Sequence, residues 1–398
     1  MLSAGEAAAR IASALSPLEP EFRRLSDAAG RVLAEPIRMD RDLPPFDRVA
    51  MDGIALASAA VAAGRRRFRV QGVQPAGAPP LALTDAASCI EVMTGAMLPE
   101  KTDAVVAVED ITIAAGEAEL SPGTSPAAFA NVHRRGSDGH AGDVVLKPGT
   151  VLEGPELAVL AAAGQAKVRL ARQPSVMVVS TGDELVELGQ APEPWQIRRS
   201  NAYAVSGLLR RRGYAAVADD HLADDPELMK RRLAQHLETH DVLLLSGGVS
   251  AGRFDHVPTV LGALGVERVF HRVAQRPGRP LWFGTTATGR AVFGLPGRPV
   301  STLICLVRYV LPALLLLQGA TSPTTPVLPV ASRLEGARAI TLFVPVDLEP
   351  GPDGSSRAVA RLTHGSEDFV ALAGTAGFVE LPPGEAWELG RPAPFYHW

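Results

Sequence analysis

The spacing of apolar residues changes several times along the chain, and each change marks an element. From Met1 to Leu18 small apolar residues recur at helical spacing, which predicts one helix over residues 1–18, ended by Pro17 and Pro20. The string Leu43–Asp47, LPPFD, is a proline break and a boundary. From there to about Gly142 the pattern is short β-runs between Gly/Pro turns, with strand-like alternation over Arg67–Val73 and Asp103–Ile113. Val144–Leu152 reads as a hairpin-like return, and Pro155–Gly164 as a helix ended by its glycine.

Near Pro174 the character changes. Continuous apolar runs in SVMVVSTGDEL, DVLLLSGGVS and RAVFGLPG read as buried strands, separated by amphipathic helices in NAYAVSGLLRRRG and DPELMKRRLAQHLETH. Strands alternating with helices predict βαβ units and a mostly parallel sheet. After about Thr321 short strands and turns return, predicting a small all-β domain entered through a proline-rich linker, Ser322–Pro329. The most apolar stretch, Leu303–Gln318, is short for a bilayer span and is interrupted by Arg308 and Pro312, so it predicts a buried core helix and no membrane.

With 398 residues, two to four domains are expected at roughly 100–200 residues each. Hydrophobic residues make up 46% and charged residues 21%, which excludes disorder as the ground state. A net charge of −4 carries no basic footprint for nucleic acid. Two cysteines, Cys89 and Cys305, cannot build a disulfide framework and suggest a reducing compartment. No secretory leader is legible at the N-terminus, so a cytoplasmic location is expected.

Three loops follow predicted strands of the parallel sheet, where open α/β folds bind ligands. They are Ser180–Leu185 (STGDEL), Ser246–Asp255 (SGGVSAGRFD) and Gly294–Ser301 (GLPGRPVS). None matches a Walker P-loop, and no GxGxxG fingerprint is present. Singly each is an ordinary tight βα turn. Together, Ser180, Thr181, Gly182, Ser246, Gly247, Gly248, Ser250, Pro296, Gly297 and Ser301 suggest several anchor points for a phosphate-bearing ligand. Carboxylates accompany the loops: Asp183, Glu184, Asp224, Asp225 and Asp255. Convergent carboxylates can hold Mg²⁺ beside substrate phosphates, whereas Asp224 and Asp225 could simply cap the helix that follows. Arg272, Arg276 and Arg279 supply forks suited to phosphate and oxyanions. A second group lies in the first half of the chain: Asp52 in AMDG, Thr94, Asp103 and Glu109 in MTGAMLPEKTDAVVAVED, and Arg134, Arg135 and Asp138 in VHRRGSD. Turn chemistry competes with function at Asp52 and Asp138.

Read in order, PPFDRVAMDGIA, MTGAMLPEKTDAVV, VHRRGSD, STGDEL, SNAYAV, SGGVSAGRFD, RPGRP, GLPGRPVS and THGSEDFVALAGTAGFVELPPGE span Pro44–Glu385 and resemble the MoeA family, which includes the E domain of gephyrin. The resemblance implies a multidomain α/β-plus-β protein. A MogA-like, mostly parallel α/β domain would comprise residues 1–18 and 174–320, a connecting domain 19–42 and 144–173, a β-rich domain 43–143, and a C-terminal β-barrel 321–398. It implies a homodimer whose active site faces the α/β domain of one subunit with the β-rich domain of the other. The implied activity is molybdopterin molybdenumtransfer: adenylylated molybdopterin and molybdate give molybdenum cofactor and AMP, with Mg²⁺. A MogA-like adenylyltransferase and apo-molybdoenzymes would be its partners. By resemblance, Asp52, Thr94, Asp138, Glu184, Asp224 and Asp255 serve catalysis, with Glu184, Asp224 and Asp255 placing the metal. Arg135, Arg272, Arg276, Arg279, the three loops and Ser366 would bind substrate.

Some positions depart from the family pattern. Arg276 and Arg279 replace lysines of a KPGKP-like string, Arg298 replaces Asn, Arg199 replaces Asp, and Glu91 replaces Arg. Val49 and Ile54 replace Ser and Tyr beside AMDG, and the usual GR…F.R string is degraded to ARAITLF. These changes keep open a divergent paralogue that carries cofactor without transferase activity. Molybdopterin adenylylation fits less well, because MogA-like enzymes consist of the α/β domain alone.

Overall fold

The apolar runs after residue 174 form one six-stranded sheet. Its strands are β1 (Val176–Thr181), β2 (Val217–Leu222), β3 (Val242–Ser246), β4 (Glu267–His271), β5 (Trp282–Thr285) and β6 (Ala291–Leu295). The spatial order is β2-β1-β3-β6-β5-β4. The first four are parallel; β5 alone is reversed, antiparallel to both β6 and the edge strand β4, a return the apolar pattern does not predict. The protein is described from a computed structural model covering residues 1–249, 256–320, 324–351, 354–384 and 386–398.

Both faces of the sheet are covered, which explains why its strands read as unbroken apolar runs. Val176, Val178, Val242, Leu244 and Phe293 pack into one cluster, while Met177, Val179, Leu243, Leu245 and Val292 pack into another. The first layer holds the helices Ala4–Ala14 and Ser200–Arg211 and the apolar helix Pro299–Leu317, which runs through a π-helical turn at Leu306–Val310. Pro299–Leu317 is long and apolar enough to cross a membrane, but most of it is buried in this core. The second layer holds Pro226–Thr239 and Val257–Ala263.

The N-terminal helix is shorter than residues 1–18. It starts at Ala4 because Ser3 and Glu6 form a capping box, and it stops at Ala14 ahead of Pro17. Val144–Leu152 is not a hairpin: Val144–Leu146 pairs with Ile37–Arg38, and Val151 bridges to Val32. Glu21–Arg24 likewise pairs with Lys167–Leu170, and Leu33, Ile37, Leu152, Leu160 and Leu170 share one core.

Residues 53–120 build a second six-stranded sheet, ordered Ala104–Ala107, Gly53–Leu56, Ser88–Val92, Arg67–Gln74, Glu117–Leu120, Ile111–Ala114. The predicted run Asp103–Ile113 is therefore two strands on opposite edges, split by a 3₁₀ turn at Val108–Asp110. Periodicity misses the split because alternation continues across it. Near the C-terminus, Thr341–Pro350, Ser356–Ala360, Gly377–Leu381, Pro392–His397 and Val327–Pro329 form a third sheet, and Val330 bridges to Ala358 across its two ends. Val327–Pro329, which the sequence presents as linker, is thus a strand. Gln275–Arg276 adds to this sheet in parallel with Thr341–Leu342, and Phe343 and Phe378 join the core of the first layer.

Candidate functional site

The order in which strands are added reverses between the parallel neighbours β1 and β3, so their carboxyl ends open a crevice. The loops there are tightly interlocked. Gly247 has φ of +100°, and a Cβ on it would lie 2.7 Å from the Thr181 carbonyl. A Cβ on Gly248 (φ +64°) would lie 3.0 Å from Thr181 Oγ1, and Gly297 abuts Gly247. Glycine is required at Gly247 and Gly248 because the loops approach each other too closely for a side chain. Asn201, on the first turn of Ser200–Arg211, ties two loops by donating to Ser246 Oγ at 2.9 Å and to the Gly297 carbonyl at 2.7 Å. The hydroxyls of Ser180 and Thr181 are buried without a hydrogen-bond partner among the described residues. Unpaired buried donors at a glycine-lined crevice suit an anionic ligand.

Beyond the loops lies a cavity of about 940 Å³. Gly247, Gly248, Pro296, Gly297 and Ser301 line one side, with Arg276, Arg279 and Arg298 beside them. The opposite wall comes from the C-terminal sheet: Ile340, Leu342, Val344, Arg361, Thr363 and Ser366. No carboxylate among the described residues pairs with Arg276 or Arg279, whereas Arg361 is held by Asp347 at 2.7 Å. Arg272 is not part of this wall. It is exposed, in a left-handed conformation with φ of +75°, where its backbone N–H bonds to the Leu281 carbonyl.

Acidic groups gather at the other end of the crevice. The Asp224 backbone N–H donates to Asp183 Oδ1 at 3.0 Å. Burial, and then the negative charges of Asp183 and Glu184, push the Asp224 carboxyl above its ordinary range. The neighbouring Asp225 is instead a helix cap, accepting from the N–H groups of Glu227 and Leu228. Ser250 and Asp255 lie outside the described residues. Among the described residues, no group of three His, Cys, Asp or Glu is arranged to hold a metal.

The first-half residues form their own cluster. Asp52 accepts from Thr94 through the backbone N–H and the hydroxyl, which hold its carboxyl below the ordinary range. His133 Nε2 lies 2.8 Å from Asp138 Oδ1 and likewise holds that carboxyl low. Arg48 lies 3.0 Å from the other ring nitrogen of His133. The short ladder Arg48–Val49 with Val132–His133 brings the two pairs together. Arg135 is engaged elsewhere: its backbone donates to Asp47 and its Nε to Asp42 at 2.7 Å. Asp103 caps the helix Ser58–Ala62 by accepting from Ser58. None of the strand pairings, hydrogen bonds or core clusters among the described residues joins residues 43–143 to residues 174–398.

Models of the MoeA N-terminal region (domain I and II) and of a probable molybdopterin binding domain match residues 2–164 and 177–316. The chain is 40% identical over 371 residues to the molybdopterin molybdenumtransferase of Synechocystis sp., covering 93% of each chain. The chain belongs to the MoeA family. The molybdopterin molybdenumtransferase of Staphylococcus epidermidis is 32% identical, with 89% of this chain and 87% of that one covered. The crystal structure of the molybdopterin biosynthesis MoeA protein from Pyrococcus horikoshii OT3 superposes with a TM-score of 0.85 at 25% identity, covering 100% of both chains.

Two departures from the MoeA pattern have local compensation. Arg199 is buried and pairs with Glu187 and, at 3.0 Å, with Asp219, so its reversed charge is neutralised in place. Arg298 reaches Glu367 at 3.0 Å and Ser366 Oγ at 3.1 Å, and the Ser366 carbonyl accepts from Val300. Nothing in the structure explains Glu91. Sequence reasoning passes over Asn201, Gln275 and Arg361. Asn201 stands inside a MoeA string, but as a helix-start residue it carries no chemical signal. Arg361 belongs to the site only because the last sheet folds back against RPGRP.

Proposed function

We propose that this MoeA-family chain is a molybdopterin molybdenumtransferase, transferring molybdenum from molybdate to adenylylated molybdopterin with release of AMP. The observation that carries the reading is the cavity where the glycine loops after β3 and β6 converge with Arg276, Arg279 and Arg298. A substrate with a phosphate and a pyrophosphate link needs several anion contacts, and a small oxyanion needs a polar, positive recess.

In this reading the backbone N–H groups of Gly248 and Gly297, with the Ser180 and Thr181 hydroxyls, hold phosphate oxygens. Arg276 and Arg279 bind the anhydride or molybdate and offset charge as the P–O bond to AMP breaks. Glu184, Asp183 and Asp224 form an acidic neighbourhood whose raised Asp224 carboxyl fits a bound cation, and oxygen ligands suit Mg²⁺. When bound there, Mg²⁺ would neutralise charge on the cleaved anhydride. Asp52 and Asp138, held ionised by Thr94 and His133, are the acidic groups of the other half-site. Their separation from the α/β crevice supports a homodimer with each site shared between subunits. The four-part domain division, including a closing β-barrel, belongs to the same reading, as does a cytoplasmic location.

The test is incubation of the purified protein with adenylylated molybdopterin, Mg²⁺ and molybdate, following AMP and molybdenum bound to pterin. Molybdate-dependent AMP release, lost in Glu184→Gln, supports the transferase. Tight pterin binding without AMP release refutes it.

A further inference from the structure

The arginine loop rests on a buried polar floor. Gln275 is 1% exposed, Tyr309 1% and Cys305 0%. The Tyr309 hydroxyl donates to Gln275 Oε1. Gln275 Nε2 donates to the Pro277 carbonyl at 3.2 Å and lies 3.6 Å from Cys305 Sγ. Cys305 Sγ in turn lies 3.8 Å from the Gly278 carbonyl. Gly278 has φ of +90°, and a Cβ there would sit 2.6 Å from Gln275 Nε2 and 2.7 Å from Cys305 Sγ. The loop therefore lies flat on this floor, with no room for a side chain between them. On its other side the Gln275–Arg276 backbone is fixed by the strand Thr341–Leu342.

We infer that Gln275 and Tyr309 are positioning residues that set the direction in which Arg276 and Arg279 present their guanidinium groups to the ligand. The carboxamide is oriented by its partners: its oxygen must accept from Tyr309, so its nitrogen must face the Pro277 carbonyl. Burying these groups is costly unless each is satisfied, so the arrangement is locked. Arg276 and Arg279 are exposed at the cavity, yet the backbone between them is anchored from below. A lysine ammonium tolerates loose placement, but a planar fork binds two oxygens only at the right angle. The floor therefore matters more in a chain that carries arginines in the RPGRP string. The π-helical turn Leu306–Val310 places Tyr309 under the loop while Arg308, one residue earlier, turns to Glu380 at 2.7 Å.

This inference rests on the transferase reading for the identity of the ligand, so the test uses a simpler probe as well. Inorganic pyrophosphate is titrated into wild type, Tyr309→Phe, Gln275→Leu, Arg276→Ala/Arg279→Ala and the combination of Tyr309→Phe with both alanines. Melting curves confirm that each is folded; Tyr309→Phe removes one oxygen atom and keeps the packing. The expected result is binding about tenfold weaker in Tyr309→Phe and Gln275→Leu. In the arginine-free background Tyr309→Phe should cost less than about twofold, because positioning has nothing left to position. With adenylylated molybdopterin, kcat/KM should fall by at least a similar factor, because the same arginines hold the bound anhydride and offset the charge that develops as it breaks. Additive losses in the combined variant, or unchanged binding in both single floor variants, overturn the inference. A wild type that binds pyrophosphate through these arginines but releases no AMP refutes the transferase reading alone. A wild type that binds no pyrophosphate refutes the inference.

Discussion

Thr94 donates twice to one carboxylate oxygen of Asp52, at 2.6 Å from its backbone N–H and 2.8 Å from its hydroxyl. Both bonds favour the ionised form, so Asp52 stays charged to a lower pH than a free aspartate. If Asp52 acts as a carboxylate, activity is present above its pKa and falls as pH drops through it. Thr94→Val keeps the N–H and deletes the hydroxyl. The acid limb of the pH–rate profile should then move to higher pH. Asp52→Asn should lower kcat by roughly 100-fold or more. An unmoved acid limb in Thr94→Val would remove Asp52 from the titrating groups.

Asn201 bridges Ser246 Oγ and the Gly297 carbonyl, so it sets the spacing of two of the three loops. Asn201→Ala should raise KM for the pterin substrate about tenfold, because loop placement is lost with little change to the core. Asn201→Asp should not rescue, since a carboxylate cannot donate to the Gly297 carbonyl. Full activity in Asn201→Asp would show that the bridge is dispensable.

Asp224 carries a carboxyl raised by burial and by Asp183 and Glu184. A raised carboxyl takes up its proton at higher pH, and a cation must displace that proton to bind. The half-saturating Mg²⁺ concentration should therefore rise as pH falls. Asp224→Asn should weaken Mg²⁺ dependence and flatten this pH effect. The check is a set of Mg²⁺ titrations of AMP release at several pH values; a pH-independent Mg²⁺ requirement in wild type would separate Asp224 from the metal.

Burial on both faces makes β1 and β3 plain in the sequence, since Val176–Thr181 and Val242–Ser246 start with unbroken apolar runs. Asp224 and Asp225 both stand where a helix cap is expected, and only Asp225 is one. The edge strand β4 is only partly buried and carries no apolar run, and β5 has no helix on either side to announce its antiparallel return. Asp103–Ile113 looks like one strand because a 3₁₀ turn does not interrupt apolar alternation. Arg272, Arg276 and Arg279 look equivalent in HRVAQRPGRP. Only the folded backbone separates Arg272 from the cavity that Arg276 and Arg279 line. The Gln275 floor is invisible in the sequence because Tyr309 lies 34 residues away and meets it only through the π-helical turn.

Asp241 has a purely structural task, which makes it a useful control. It takes both guanidinium nitrogens of Arg172, at 2.7 and 2.9 Å, pairs with Arg290, and accepts from Ser175 at 2.8 Å. Burial pushes its carboxyl up, but Arg172 and Ser175 outweigh that and hold it at about 2. Because the folded value lies below that of a free aspartate, the stabilisation is complete above about pH 4. It is lost as pH falls from there towards 2. Asp241→Asn should cost about 3 kcal/mol in urea denaturation at neutral pH and leave KM unchanged in the folded fraction. Its acid denaturation should also be shallower across that window.

Asp52 and Glu184 lie in parts of the chain that no pairing, hydrogen bond or core cluster joins among the described residues, which makes the shared-site dimer testable by mixing. Asp52→Asn spoils only the β-rich half-site and Glu184→Gln only the α/β half-site. Each pure variant is inactive at both sites of its homodimer. In a mixed dimer, one site combines the intact α/β half of the first variant with the intact β-rich half of the second. The other site carries both defects. Random reassociation of equal amounts makes half the dimers mixed, each with one good site of two, so about a quarter of wild-type activity should return. A site contained within one chain gives no recovery, because every chain carries a defect. Measuring AMP release before and after subunit exchange distinguishes the two, and recovery should fail if two α/β variants, Glu184→Gln and Asp224→Asn, are mixed instead.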